Sequence, residues 1–238
     1  MSLSIIIPCR NEEEVIKNTV KLIKKKISKK IHNYEIILID DFSNDGTKKV
    51  CLDLSVAYKN VSFKNNKKKG LGGAINLGIN VSKKKFLCIM MADLSDSPKD
   101  LIKYYKTILN ENFDAVLGSR FIKNSKLYDY PIKKLIFNRV FNYFVKLVFL
   151  SNYNDFTNAF KIYKRETIIN LKPLVSENFN IFLEIPLKII LRKKNYKIIP
   201  ISWRNRKKGK AKFKIKELSS KYLFTFLYCF FEKILLNR

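Results

Sequence analysis

At four places in this chain, functional side chains gather just beyond an apolar run. Ile5-Ile6-Ile7-Pro8 leads into Asn11-Glu12, Ile36-Ile37-Leu38-Ile39 into Asp40-Asp41, segment 86–91 into Asp93, and Val116-Leu117-Gly118 into Ser119-Arg120. Three runs end in carboxylates and the fourth in an arginine. If the runs are strands of one open parallel sheet, these residues stand in the crevice beyond the strand ends, where such sheets bind ligands. Carboxylates beside an arginine in that crevice suit a divalent ion held together with a nucleoside diphosphate. The clustering stands out because the chain has only 20 acids against 48 lysines and arginines, a net charge of +28.

Asp93 and Asp96 are three apart on the stretch Met91-Ala92-Asp93-Leu94-Ser95-Asp96-Ser97-Pro98, where a carboxylate can coordinate an ion that bridges two phosphates. Asp96 can equally serve as the cap of a helix starting at Pro98. The Asp40–Thr47 stretch, with Ser43, Asn44, Asp45 and Gly46, combines strand-end acids with a turn that opens the next helix. Gly70-Leu71-Gly72-Gly73-Ala74 is neither GxGxxG nor GxxxxGKS. It reads as a turn into a helix whose small residues permit close backbone approach. One histidine, His32, stands apart from any nucleophile pattern, which all but excludes a Ser-His-Asp relay or a histidine zinc site. Any metal is therefore held by oxygen, as Mg2+ or Mn2+.

Strands expected near 4–8, 35–40, 61–64, 86–91 and 114–118 alternate with helices near 12–27, 46–57, 72–82 and 98–110, the pattern of an α/β fold with a mainly parallel sheet. Asn11 is the expected N-cap of the first helix, with Glu12, Glu13 and Glu14 in its first turn. Asp96 or Ser97 caps the helix that begins at Pro98. Beyond Arg120 the pattern changes. Segment 132–150 is a long apolar helix with a narrow polar stripe at Arg139, Asn142 and Lys146; it faces either the core or a membrane interface. A strand over 161–163, a helix near 181–193 containing Glu184, a strand at 196–202 and an aromatic helix over 216–236 follow.

At 238 residues with 47% hydrophobic and 13% aromatic content, the chain is long enough for a substantial core. The four cysteines, Cys9, Cys51, Cys88 and Cys229, are scattered, which fits a reducing, cytoplasmic setting better than a disulfide framework. No signal peptide or run of about 20 apolar residues is expected. Lysine runs at 24–26, 67–69 and 83–85 read as solvated. Segment 204–216 carries Arg204, Arg206, Lys207, Lys208, Lys210, Lys212, Lys214 and Lys216 after Trp203, a density that attracts phosphate. Binding of nucleic acid is disfavoured: carboxylates collect where phosphates would sit, and no nucleic-acid fold signature is present.

Several motifs occur in one order: Pro8-Cys9-Arg10-Asn11-Glu12; Asp40-Asp41 with Ser43, Asp45 and Thr47; Gly70, Gly72 and Ala74 with Gly78; Ala92-Asp93-Leu94 with Pro98; Gly118-Ser119-Arg120; Asp155 with Thr157-Asn158-Ala159-Phe160; and Trp203 with Arg206, Gly209 and Lys212. In these the chain resembles the inverting, family-two nucleotide-sugar glycosyltransferases, and among them the polyprenyl-phosphate (dolichyl-phosphate mannose synthase-like) branch, over roughly residues 3–216. The resemblance implies a glycosyltransferase A, Rossmann-like fold. Residues 1–215 would form the catalytic domain, its sheet flanked by helices. Residues 216–238 would be a C-terminal amphipathic, aromatic helix at a membrane surface. It further implies metal-dependent transfer of one hexosyl group from a nucleotide-sugar donor to a lipid-phosphate acceptor, at the cytoplasmic face of a membrane. Pro8, Glu12, Asp40, Asp41 and Gly70 would meet the donor, its base and ribose held by Glu12 with Asp41 or Asp40. Asp93 would be the metal ligand, with Ser95 adding a hydroxyl or water. Arg120 and Arg206 would meet phosphates, with Lys212 assisting. Asp155 would orient the acceptor or a basic partner, unless it only bonds its own loop backbone. Met91 stands where the branch often has a first metal-binding aspartate, Ala211 where it commonly has serine, and Arg10 where tyrosine is frequent. The branch often continues into transmembrane helices, whereas this chain ends at Arg238. The alternative acceptor is a sugar hydroxyl in cell-surface polysaccharide or lipopolysaccharide synthesis, which needs a base, either Asp155 or Glu184; Glu184 could equally be a buried ion-pair partner for the basic segment.

Overall fold

The computed structural model describes residues 2–206 and 215–236. In chain order the elements are β1 (Leu3–Cys9), α1 (Glu13–Ile27), β2 (Tyr34–Asp40), α2 (Thr47–Ala57), β3 (Val61–Asn65), α3 (Leu71–Val81), β4 (Phe86–Ile89), α4 (Pro98–Asn110), β5 (Ala115–Ser119), β6 (Lys126–Tyr128), α5 (Ile132–Val148), β7 (Lys161–Lys164), α6 (Arg165–Asn170), α7 (Ile181–Leu191), β8 (Tyr196–Pro200), β9 (Ser202–Arg204) and α8 (Ile215–Leu236).

Seven strands form one sheet in the order β3-β2-β1-β4-β7-β5-β8. All neighbours are parallel except β7, which runs antiparallel to both β4 and β5. Every residue of β1 is buried, as expected of a strand covered on both faces. Alternate side chains feed two cores: Ile5, Ile7 and Cys9 pack with the apolar faces of α1 and α4, while Ile6 packs with α3 and α7. The chain leaves β1 first towards β2 on one side and later reaches β4 on the other. The crevice between the β1 and β4 ends is thus the topological switch point.

Two boundaries differ from expectation, and a third is decided between two expected candidates. Asn11 does not cap α1; it has φ 51°, Glu12 takes the cap position, and the Asn11 carboxamide instead accepts the Asn44 N–H. Of the two candidates at the next helix, Ser97 caps α4 by accepting from the Lys99 N–H. The strand expected over 196–202 divides at Ile201. Its first part joins the main sheet, and the remainder, β9, pairs in parallel with β6, a strand of three residues too short to be announced by periodicity. No helix among the described residues is long and apolar enough to cross a membrane.

Glu184 lies on α7 and is fully buried. Its carboxylate accepts the N–H groups of Val175 and Ser176 and pairs at 2.9 Å with Lys188, itself 1% exposed. Glu184 therefore fastens the 173–176 turn to α7, and it does not line the active-site cavity described below. Of the two roles expected for it, base or buried ion-pair partner, the second is the one seen, with Lys188 in place of the basic segment, and a carboxylate so engaged has no access to an acceptor. Removing one partner of a buried pair strands the other charge. Glu184→Ala is expected to cost about 3–5 kcal/mol of stability in urea denaturation, while the folded fraction keeps its specific activity.

Candidate active site

The switch-point crevice is a cavity of about 170 Å3 whose walls include Glu12, Asp93, Ser95, Asp96, Arg120, Lys134, Asn138, Trp203 and Arg206. Glu12 is set by lacing between two loops: its N–H donates to Thr47 Oγ1 at 2.7 Å, Asn11 N–H to Ser43 Oγ, and Gly46 N–H to Glu13 Oε2. The β4–α4 loop is fixed from below by Thr19, whose hydroxyl donates to the Ala92 carbonyl. Within it, Asp93 Oδ1 accepts the Ser95 N–H at 3.0 Å and Asp96 Oδ2 accepts the Met91 N–H at 3.4 Å.

The same loop is tied to β9. Asp96 forms a β-bridge with Trp203, Arg204 N–H donates to the Ser95 carbonyl, and Ser202 N–H donates to Asp100 Oδ2. Two residues further, Arg206 reaches back over the crevice. Its Nη2 contacts both Glu12 oxygens, at 2.9 and 2.6 Å, and its Nε lies 3.6 Å from Asp93 Oδ2.

Asp40 and Asp41 do not line this cavity. They end β2, one strand away, where Cys9 pairs with Asp40. The two are not equivalent. Asp41 Oδ1 accepts from Asn66 Nδ2 and from the Gly70 N–H, both at 2.8 Å, and Arg10 stands 4.0 Å from its other oxygen. Asp41 thus fastens the turn at Gly70, whose φ of 130° suits glycine, and Gly72 passes so close to Ser176 and Glu177 that a Cβ would meet their backbone. Asp40 is 5% exposed, and its Oδ1 has no hydrogen-bond partner among the described residues. Buried polar atoms are rarely left so. Pro8 is buried within β1, and Gly70 caps α3; neither borders the cavity.

On the opposite wall, Arg120 is held by Asp155 through its Nε at 2.8 Å and Nη2 at 2.6 Å, and its backbone N–H donates to the same carboxylate. Both are buried. Burial works against the arginine's charge, but the charge and hydrogen bonds of Asp155 outweigh it and hold its pKa above the ordinary value. Asp155 is accordingly the partner of a base, and its carboxylate does not border the cavity. Arg120 Nη1 also contacts Tyr130, whose hydroxyl meets Asn138 Nδ2. Tyr130 packs on Trp203 with centroids 4.6 Å apart, and Lys134 Nζ lies 5.6 and 5.2 Å from the two rings. Burial, followed by the neighbouring Arg120 and Arg206, lowers the Lys134 pKa.

Lys134 and Asn138 were not singled out by sequence, because they look like polar interruptions of an apolar helix. That helix has mixed faces: Val145 is buried in the core with Phe141 and Val148 packed against it, yet polar residues share its inward side. Lys134, Asn138 and Asn142 face inward, and Asn142 is buried against Thr157. Ile132, Ile136, Phe137, Val140, Tyr143 and Leu147 face outward, each more than half exposed. Arg139, expected in the polar stripe with Asn142 and Lys146, is exposed and lies 5.1 Å over Phe121. The i, i+4, i+8 spacing of Lys134, Asn138 and Asn142 was the available signal. Lys212 lies outside the described residues.

Asp93, Asp96 and Glu12 give the cavity three acids, yet no three acidic, histidine or cysteine side chains among the described residues stand close enough to enclose a metal. Met91 supplies no oxygen where a second carboxylate is expected. The donor set fits Mg2+ or Mn2+ of the kind that is bound through one or two carboxylates and completed by substrate phosphates and water.

Residues 4–171 match the profile of Glycosyl transferase family 2, and the chain belongs to that family. The sheet and its flanking helices form the glycosyltransferase A fold. The fold is shared with the crystal structure of glucosyl-3-phosphoglycerate synthase from Mycobacterium tuberculosis in complex with Mn2+, uridine diphosphate and glucosyl-3-phosphoglycerate, at TM-score 0.74 and 13% identity over 96% of this chain and 79% of that one. Among curated proteins, the chain is similar to the dolichol-phosphate mannosyltransferase of Pyrococcus furiosus, 27% identical over 92% of this chain and 61% of that protein. It is 30% identical to the uncharacterized protein MJ1222 of Methanocaldococcus jannaschii, over 80% of this chain and 75% of that protein. It is also 23% identical to the glycosyltransferase AglD of Haloferax volcanii, over 85% of this chain but 33% of that protein. The chain thus spans about three fifths of the Pyrococcus enzyme and a third of the Haloferax one.

Two outcomes follow from the geometry. Asp40→Ala is expected to weaken binding of UDP or GDP roughly 10- to 100-fold in calorimetry, since a hydrogen bond to a charged group contributes about 1.5–3 kcal/mol. The loss of stability should be smaller than in Asp41→Ala, because among the described residues Asp40 accepts only the Ser43 N–H at 3.3 Å, whereas Asp41 accepts the buried Gly70 N–H at 2.8 Å. Burial first, and then the charge of Asp93, push Asp96 up to about 7. An unfolded aspartate titrates near 4, so between these pH values the folded state holds the extra proton and stability falls as pH rises. In metal-free buffer Asp96→Asn should therefore stabilise the protein at pH 8 and make little difference at pH 4, read from urea midpoints.

Proposed function

We propose that this glycosyltransferase moves a single hexosyl group, with inversion, from a nucleotide sugar to a lipid phosphate of the polyprenyl type, with Mg2+ or Mn2+, at the cytoplasmic surface of a membrane. The observation that carries the reading is the pair of faces that α5 presents: one helix gives Lys134 and Asn138 to the cavity and a row of large apolar side chains to the outside. A substrate with a phosphate head and an apolar tail needs such a wall. Helix α8 extends the outer face with Leu223, Phe224, Leu227 and Phe231, and Phe226 stacks on Phe144 of α5 with centroids 5.2 Å apart. An exposed apolar surface of this extent marks a docking face, and Lys133, Arg139 and Lys146 on α5 suit anionic headgroups.

The chemistry agrees with the residues at hand. A phosphate monoester has its second pKa near 6 and is largely a dianion at neutral pH, so it attacks without a general base. Both carboxylates put forward as a base are buried in ion pairs, Asp155 with Arg120 and Glu184 with Lys188. A sugar-hydroxyl acceptor, which needs one, would have to draw it from Glu12, Asp93 or Asp96, the carboxylates that line the cavity. In the transfer, a phosphate oxygen of the acceptor bonds to the sugar's anomeric carbon from the face opposite the donor. The bond from that carbon to the diphosphate oxygen breaks, and its electron pair leaves with the diphosphate. Lys134, Asn138 and the Asp155-oriented Arg120 are the residues placed to dock the acceptor phosphate, and Arg206 to meet the departing charge. Asp93 would hold a divalent ion, which would supply charge neutralisation on the diphosphate. The reading draws support from the similarity to a dolichol-phosphate mannosyltransferase and from neighbours of the same fold crystallised with Mn2+ or Mg2+ and uridine diphosphate.

The protein incubated with radiolabelled GDP- or UDP-hexoses, Mn2+ and vesicles containing a polyprenyl phosphate should give label extractable into organic solvent, abolished by EDTA. Phe137→Glu with Val140→Glu should prevent sedimentation with anionic vesicles and cut labelling more than tenfold without altering nucleoside diphosphate binding. No extractable label from any common donor, or label in glycan alone, would sink the proposal.

A further inference from the structure

We infer that Arg206 stands in the cationic position at Asp93 and competes there with the divalent ion, so that the arginine turns to the substrate phosphates only once the metal-bound donor has displaced it. The inference rests on the metal-dependent reading above.

Three features of the guanidinium support it. Its two ends are held unequally: Nη2 grips both oxygens of Glu12, whereas Nε lies 3.6 Å from Asp93 Oδ2, beyond hydrogen-bond length. Glu12 is thus the anchor and Asp93 the exchangeable end. Asp93 itself has one oxygen committed to the Ser95 N–H, which leaves Oδ2 both for Arg206 and for a metal. One carboxylate oxygen cannot serve both at full strength. Finally, the contact is imposed by the backbone. The tie between β9 and the 91–97 loop, through the Asp96–Trp203 bridge and the Arg204–Ser95 hydrogen bond, brings position 206 back over the loop that carries Asp93.

Met91 sharpens the competition. With a second carboxylate at that position, an ion and a guanidinium could each hold one; with methionine there, both converge on Asp93. A ligand that must displace an internal competitor binds more weakly by the fraction of protein in which the competitor is engaged. Arg206 should accordingly depress the affinity for the free ion and restore it when a diphosphate offers the guanidinium a better partner, since charge-assisted bonds to phosphate are strong. The consequence is order: free metal is excluded, and metal with nucleotide is admitted.

Mn2+ binding can be followed by electron paramagnetic resonance in the full chain, with and without GDP or UDP. Arg206→Gln should bind free Mn2+ about tenfold tighter than the wild type, and the gain should vanish or reverse with diphosphate present. Lys134→Gln removes a charge from the same cavity without touching Asp93 and should gain less than threefold. Should Arg206→Gln fail to melt cooperatively, Arg206→Lys, too short to span both acids, should show the same sign. An arginine that serves phosphate alone predicts unchanged or weaker free-ion binding, which would overturn the inference, as would an equal gain in Lys134→Gln. If no variant binds Mn2+ even with diphosphate, the metal-dependent reading falls and the inference falls with it.

Discussion

Two stretches of chain that lie about a hundred residues apart are laced together at the crevice, and the site depends on that lacing. The Asp96–Trp203 bridge, the Arg204 N–H on the Ser95 carbonyl and the Ser202 N–H on Asp100 join the loop after β4 to the strand after β8. Without them, the carboxylates at the sheet's switch point and the basic residues near the C-terminus would belong to separate surfaces. With them, Arg206 is brought to Glu12 and Asp93, and Trp203 packs against Tyr130 beside Lys134. The backbone supplies the positions, and the long-range ion pairs then have little freedom left to lose.

The second organising element is the buried pair of Arg120 and Asp155. Isolated, either charge would be costly in so dry a place; bidentate and with Asp155 also accepting the Arg120 N–H, they satisfy each other. The pair also orders its neighbours. Arg120 reaches Tyr130 and Thr157, Tyr130 meets Asn138, and Asn142 meets Thr157, so the inward side of α5 is bound to the wall by a continuous polar network. That network explains how Asn138 and Asn142 come to face the protein although Ile136, Phe137 and Val140 beside them are exposed. Hydrogen bonds in the interior outweigh the exposure of apolar side chains, and an apolar environment at the outer face would remove the remaining cost.

The α/β pattern was legible because its signals are local. Apolar runs of strand length, helical stretches between them, Pro98 at a first helical position and Ser97 before it all act over a few residues. The four strand-end clusters were visible for the same reason, as were Asp93 and the order of the family motifs. Other features were illegible. Which of Asp40 and Asp41 is left with an unpaired oxygen depends on Asn66 and the Gly70 turn. The role of Glu184 depends on a turn eight residues upstream and on Lys188. Strand β6 is only three residues long, and its partner β9 lies more than seventy residues away in sequence.

Sequence alone determined the sheet, the family and the identity of the acids at the strand ends, since periodicity and motif order require only neighbouring residues. Tertiary structure decided which of those acids meet. Glu12 and Asp93 share a cavity with Arg206, while Asp40 and Asp41 stand one strand away, because the strand order places β4 beside β1 on the side opposite β2. It also decided which way α5 faces. A helix's periodicity defines its two sides but does not say which side turns inward; here the buried charges of Arg120 and Asp155 settled that choice.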